Sequence, residues 1–298
     1  MYDAFYPGQV WLDTNGNRIQ AHGGSLIYLD GVYYWYGENK DADTTRRSVP
    51  FLGFCCYSSE DLLHWHNEGV VLRDPRLPQQ GVGERPCVLY SEATGQFVMW
   101  FHWDNREYSL AQVGVAVTDT PAGPFRVLDT FRPCGYESRD MTAFTAKDGR
   151  AYLFCSSDHN TTMRIFELDK TCTALTGNHA EAYREQEREA PAVFDWGEGY
   201  GMLTSGCSGW APNTMLFAKA DAPMGSWRLL GDPCEGPGAR QTFGAQSAHV
   251  FQAQGRLYAL LDHWQPDDLR HSGYTALPIQ EGGRFLTLPW QENWEGLL

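Results

Sequence analysis

The hydrophobic positions of the chain fall in short runs separated by glycine-bearing turns. One arrangement recurs along it: an apolar strand, a tight turn, then an aromatic-rich strand. The first copy reads Ser25-Leu26-Ile27-Tyr28-Leu29, a turn at Asp30-Gly31, then Val32-Tyr33-Tyr34-Trp35-Tyr36. The second runs from Cys87-Val88-Leu89-Tyr90 through Gly95 to Phe97-Val98-Met99-Trp100. The third runs from Thr142-Ala143-Phe144 through Gly149 to Tyr152-Leu153-Phe154. The fourth pairs Ala192-Val193-Phe194 with Tyr200-Gly201-Met202-Leu203 across a turn assigned to Gly199. The fifth pairs His249-Val250-Phe251 with Leu257-Tyr258-Ala259-Leu260 across Gly255. After several hairpins comes a further strand, a turn and an aromatic that opens a fourth strand, at Trp65, Phe125 and Trp227. Helical 3.6-residue periodicity is nearly absent.

The turn glycines are spaced by 50 to 64 residues, a period that marks propeller blades. The pattern therefore predicts an all-β fold, a five-bladed β-propeller with four-stranded antiparallel blades around a central channel. With no long linker or low-complexity tract, residues 1–298 are expected to form one domain. A large β-sandwich is the alternative fold.

In a propeller, the first strand of each blade lines the channel. Counting back nine to eleven residues from each turn glycine reaches His22, Glu84, Asp140, Glu189 and Gln246. Each is a polar residue placed just before an apolar run. An unpaired charge facing a core is costly, so five such residues around one axis predict a solvent-filled funnel.

The formal net charge of -14 argues against nucleic acid or an anionic membrane as partner, because phosphate binding needs a basic patch. No apolar run reaches the length of a membrane span. No basic-then-apolar leader is visible at Met1-Tyr2-Asp3, so a cytoplasmic location is expected. The eight cysteines sit largely inside apolar runs and are read as free buried thiols. None has zinc-ligand spacing, and neither a metal nor a cofactor is expected. The 11 Trp and 15 Tyr suit stacking on sugar faces as well as β-cores.

Clustered carboxylates repel one another's charge, so one can keep its proton near neutral pH. Glycoside cleavage needs such an acid and a second group to activate water or act as nucleophile. Glu189 is the candidate acid. Asp140, beside Arg139, is a candidate modulator of it, and Glu84 suits either task. Other polar candidates at strand ends are Glu38, Tyr108, Asn160, Thr204 and Trp210, with His22 as a further ligand-contacting position. The partner these predict is an oligosaccharide or polysaccharide.

These residues resemble glycoside hydrolase family 43, in its exo-β-1,3-galactanase (galactan 1,3-β-galactosidase) branch. The matching segments are Gln20-Ala21-His22-Gly23-Gly24, Tyr36-Gly37-Glu38, Cys56-Tyr57-Ser58-Ser59, Glu84-Arg85-Pro86, Ser138-Arg139-Asp140-Met141, Glu189-Ala190-Pro191, Leu203-Thr204-Ser205-Gly206 and Gln246-Ser247. The resemblance implies inversion at the anomeric carbon, Glu189 as general acid, and Glu84 and Asp140 as further active-site acids. Most of that family carries an Asp base at the start of blade one, where this chain has His22. In the galactanase branch a glutamine is proposed for the base's role, and Gln246 matches it, so Gln246 and Glu84 both stand as candidates. The expected activity is release of galactose from β-1,3-galactan or related oligosaccharides. The alternatives are α-L-arabinofuranosidase or β-xylosidase activity, or a sugar-binding propeller without catalysis.

Overall fold

The computed structural model describes residues 4–45, 48–282 and 285–293. Four blades are four-stranded antiparallel sheets in simple sequential order. Blade one holds β1 (His22–Leu29), β2 (Val32–Glu38), β3 (Phe54–Ser59) and β4 (His66–Leu72). Blade two holds β5 (Val82–Ser91), β6 (Gln96–Asp104), β7 (Gln112–Thr118) and β8 (Arg126–Phe131). Blade three holds β9 (Met141–Thr145), β10 (Ala151–Ser157), β11 (Thr162–Leu168) and β12 (Leu175–Ala182). Blade four holds β13 (Arg188–Trp196), β14 (Gly199–Gly206), β15 (Leu216–Ala220) and β16 (Arg228–Gly231). The innermost strands neighbour one another in ring order, and β1 closes the ring against β18 (Gln246–Ala253) of blade five.

Blade five adds β19 (Arg256–His263) and β20 (Gly273–Pro278) to β18. Its outer edge is covered by the start of the chain. The Gly8 amide donates to the Tyr274 carbonyl at 2.8 Å, and the Tyr274 amide donates to the Gln9 carbonyl at 3.4 Å. Tyr274 also clamps this segment to blade one, its hydroxyl donating to the Ile19 carbonyl and accepting from the Ala21 amide, both at 2.9 Å. An unpaired strand edge is thereby removed and the ring is fastened shut. A small sheet of β17 (Cys234–Glu235), β21 (Gln280–Gly282) and β22 (Phe285–Pro289) packs beside it.

Each blade interface is filled by its own apolar cluster, because successive strand residues point to opposite faces. Along β6, Phe97, Met99, Phe101 and Trp103 pack towards blade one, whereas Val98 and Trp100 pack towards blade three. Both faces are buried, so the strands read as continuous hydrophobic runs. Large side chains such as Trp35 and Trp100 are buried in these seams, and each contributes on the order of 2–3 kcal/mol of burial. Trp65, Phe125 and Trp227 stand immediately before β4, β8 and β16, as the repeat predicts.

The hairpin glycines Gly31, Gly95, Gly149 and Gly255 have φ between +70° and +91°, the conformation that favours glycine. In blade four the left-handed glycine is Gly197, at φ +56°, and Gly199 already lies within β14. The eight cysteines are free, six of them buried. Among the described residues no helix is long and apolar enough to cross a membrane.

Candidate active site

A cavity of about 700 Å³ opens where the innermost strands begin, and Glu84, Asp140, Glu189 and Gln246 all line it. A local device presents two of these side chains. The register between the first and second strands slips after Glu84 and after Glu189, and the next residues, Arg85 and Ala190, have φ of +54° and +52°. Such bulges re-aim a side chain at the cost of local strain. Blade one repeats the device at His22-Gly23, with Gly23 at φ +55°. Glycine there has a second cause: a Cβ would collide with Glu38 Oε1.

Glu189 and Glu84 are held in opposite states. Glu189 receives Gln246 Nε2 on Oε1 at 3.1 Å and Asn160 Nδ2 on Oε2 at 3.3 Å. Its burial, reinforced by the Asp140 charge, pushes its carboxyl up to about 8, so it is protonated at neutral pH. Glu84 is likewise largely shielded from solvent, but His102 Nδ1 lies 3.1 Å from its Oε2 and the Tyr108 hydroxyl donates to its Oε1 at 2.7 Å. The hydrogen bond and charge of His102 outweigh desolvation and hold it down to about 2. His102 is in turn raised to about 9: its burial is offset by Asp104, 3.0 Å from Nε2, and by Glu84. Asp104 is anchored by the Leu110 and Ala111 amides at 2.8 and 3.0 Å.

Arg85 ties the floor of the site together. One terminal nitrogen of its buried guanidinium meets Gln246 Oε1 at 2.6 Å and Asp140 Oδ2 at 2.9 Å, and the other donates to the Ser247 carbonyl at 2.8 Å. Its backbone amide donates to Glu38 Oε1 at 3.0 Å. Glu38, pushed up to about 7 by burial against the opposing pull of Lys40, has Lys40 Nζ 2.6 Å from Oε2. Asp140 also accepts the Ala190 amide at 3.1 Å. Gln246 is saturated at both ends: Oε1 accepts from Arg85 and from Trp264 Nε1 at 3.0 Å, and Nε2 donates to Glu189 and to Ser205 Oγ at 2.9 Å.

Glu38, Tyr108, Asn160 and Trp210 stand on the cavity wall, and Trp210 meets Trp264 edge-on at 4.9 Å between centroids. His22 and Thr204 do not reach it. His22 is fully buried, with Nδ1 3.1 Å from Asp262 Oδ1, Nε2 3.2 Å from the Tyr274 hydroxyl, and its ring stacked on Tyr274 at 4.7 Å. Asp262 also accepts the Gly23 amide at 2.9 Å, so it draws the whole bulge of blade one towards blade five. Burial holds the His22 imidazole below its usual range. Thr204 points away because β14 alternates, and its Oγ1 accepts from Arg188 Nε at 3.1 Å. Its neighbour Ser205, paired with Glu189, faces the site instead.

The sequence reading missed His102, Asp104, Lys40 and the bridging role of Arg85. His102 and Asp104 did leave a signal: two polar side chains two residues apart on one face of Phe101-His102-Trp103-Asp104, within an otherwise apolar strand. Among the described residues no group of three or more His, Cys, Asp or Glu side chains is placed to hold a metal ion.

Comparison with known proteins places this arrangement. The β-1,3-galactosidase BT3683, solved with galactodeoxynojirimycin, is 33% identical, with a TM-score of 0.92 over 98% of this chain and 100% of that one. The β-1,3-galactosidase BT0265 is 34% identical, with a TM-score of 0.92, and the chain spans 64% of its length. An exo-β-1,3-galactanase from Phanerochaete chrysosporium, solved with β-1,3-galactotriose, is 29% identical, with a TM-score of 0.92 over 99% of this chain and 68% of that one. No significant sequence match was found among curated proteins. The sequence profile described as glycosyl hydrolases family 43 matches residues 18–233. The chain belongs to that family and is a glycoside hydrolase with a carbohydrate substrate.

Proposed function

We propose that the protein releases galactose, with inversion, from the end of β-1,3-linked galactan or a related galacto-oligosaccharide. The observation that carries this reading is the pairing of a Glu189 protonated at neutral pH with a Glu84 ionised at neutral pH on the wall of one cavity. An inverting hydrolase needs an acid for the leaving oxygen and a base for water on the opposite face of the ring. The β-1,3-galactose linkage rests on the likeness to the galactosidases and galactanase described above.

In this mechanism Glu189 gives its proton to the glycosidic oxygen as the C1–O bond breaks. Water adds to C1 from the other side and loses a proton to Glu84. Gln246 is the rival base, but both ends of its amide are already hydrogen-bonded. Its carbonyl oxygen faces the Arg85 cation, which lowers its basicity. We therefore assign Gln246 to orienting Glu189, and Asp140 to keeping Glu189 protonated. Tyr108, Trp210 and Trp264 shape the sugar pocket.

The test is incubation with β-1,3-galactan, following products by anomer-resolved NMR. Galactose is expected to appear first as the α-anomer, and Glu189→Gln to cut turnover by about a hundredfold or more. Absence of galactose, or a wild-type rate in Glu189→Gln, overturns the reading. Arabinoside and xyloside substrates run alongside separate it from the other activities of the family.

A further inference from the structure

The innermost strands carry a second ring of residues, at the end opposite the catalytic one. Tyr28, Tyr90, Phe144, Asp195 and Gln252 hold equivalent places, each facing its hairpin partner one step before the last rung or, in blade three, before the Thr145 rung. All five line a separate cavity of about 750 Å³. Its size lies within the roughly 300–1,000 Å³ typical of small-ligand pockets. Tyr28 and Tyr90 are 61% and 47% exposed, unusual for aromatic side chains of this chain. Each is braced from behind, Tyr28 by Tyr33 at 4.6 Å and Tyr90 by Phe97 at 5.2 Å between ring centroids. Both thus present largely exposed aromatic rings at this mouth.

The chemistry of the wall narrows the occupant. Among the described residues no Lys or Arg lines this cavity, so they offer no cationic partner to a phosphate or a uronate. His249, deeper in, is pulled down to about 4 by burial and adds no positive charge. Asp195 and Gln252 supply hydrogen-bonding groups beside the aromatic faces. Flat aromatic platforms next to a few amide and carboxyl groups suit the apolar face and hydroxyl rim of a neutral sugar.

From this geometry we infer that the mouth opposite the active site is a second, non-catalytic binding site for a neutral glycan, namely the galactan chain itself. The choice of galactan rests on the activity proposed above. Bound there, a polymer keeps its free ends concentrated around the enzyme, and a disaccharide gains nothing.

The test uses the full chain. Tyr28→Ala/Tyr90→Ala is expected to lower kcat/KM on polymeric β-1,3-galactan threefold or more, leave β-1,3-galactobiose hydrolysis unchanged, and weaken retardation in gels containing the polymer. Calorimetric titration of Glu189→Gln with β-1,3-galactotriose is expected to give two sites, and one when the tyrosine substitutions are added. Gln252→Arg, which fills the mouth and leaves the aromatic packing intact, is expected to act like the tyrosine pair. A single site in Glu189→Gln, with an unchanged ratio of polymer to disaccharide activity in both variants, overturns the inference. Failure of the wild type to hydrolyse galactan at all instead overturns the proposed substrate.

Discussion

Glu84 of blade two and Glu189 of blade four occupy matching places in the repeat. Each precedes a left-handed residue at a slip in strand register, and each looks into the same cavity. Glu84 is nevertheless held near 2 and Glu189 near 8. Their neighbours make the difference. Glu84 has His102, itself charged through Asp104, and the Tyr108 hydroxyl. Glu189 has a neutral amide on each oxygen and the Asp140 charge nearby. The backbone repeat thus delivers two equivalent carboxyls, and their different neighbours give them opposite charge states.

The sharpest way to break this comparison is to remove each carboxyl and supply azide, an anionic nucleophile that needs no base. Both Glu84→Ala and Glu189→Ala are expected to lose about 10²- to 10⁴-fold in turnover on β-1,3-galactobiose. Azide then restores Glu84→Ala alone, because Glu189 still protonates the leaving oxygen, and the product is α-galactosyl azide. If azide restores Gln246→Ala and leaves Glu84→Ala inactive, the base is Gln246 and the contrast between the blades is catalytic on one side only.

Smaller effects should follow from exchanging the neighbours. In the proposed mechanism the working form has Glu189 protonated, so wild-type activity is expected to fall as pH rises through about 8. Asp140→Asn removes an anion that favours the proton, while Arg85 remains to oppose it. The alkaline limb is then expected to move to lower pH, with roughly tenfold less activity at pH 8. His102→Asn removes the cation that favours ionised Glu84. An acid limb absent above about pH 2 in the wild type is expected to rise into the measurable range. pH profiles of kcat/KM check both. Limbs that stay in place would mean the neighbours position the carboxyls without setting their charge.

Hairpin spacing and the polar residue before each apolar run made the fold and four of the residues lining the cavity legible, since both follow from backbone periodicity. What stayed hidden depends on contacts between distant segments. Nothing local to His22 reveals Asp262, 240 residues away, which captures it. Choosing between Thr204 and Ser205 needs the strand register, and a shift of one residue reverses the face. Arg85 reads as a neighbour of Glu84, yet its guanidinium meets Asp140 and Gln246, partners 55 and 161 residues away that only the closed ring brings to it.

The smallest expected effect concerns that backbone turn. Blades one, two and four bend in the same way at Gly23, Arg85 and Ala190. Gly23 is dictated by space, since Glu38 Oε1 occupies the position of a Cβ. Arg85 is dictated by its guanidinium contacts. Ala190 has neither reason, and its left-handed φ costs about 1–2 kcal/mol. Ala190→Gly relieves that strain but adds about 0.5–1 kcal/mol of unfolded-chain freedom, so the two nearly cancel. Thermal unfolding is expected to shift by no more than a few degrees, and galactobiose turnover by less than twofold, because the Ala190 amide still reaches Asp140. A loss of tenfold or more would show that the Ala190 methyl holds Glu189 at its angle, making this bend as specialised as the other two.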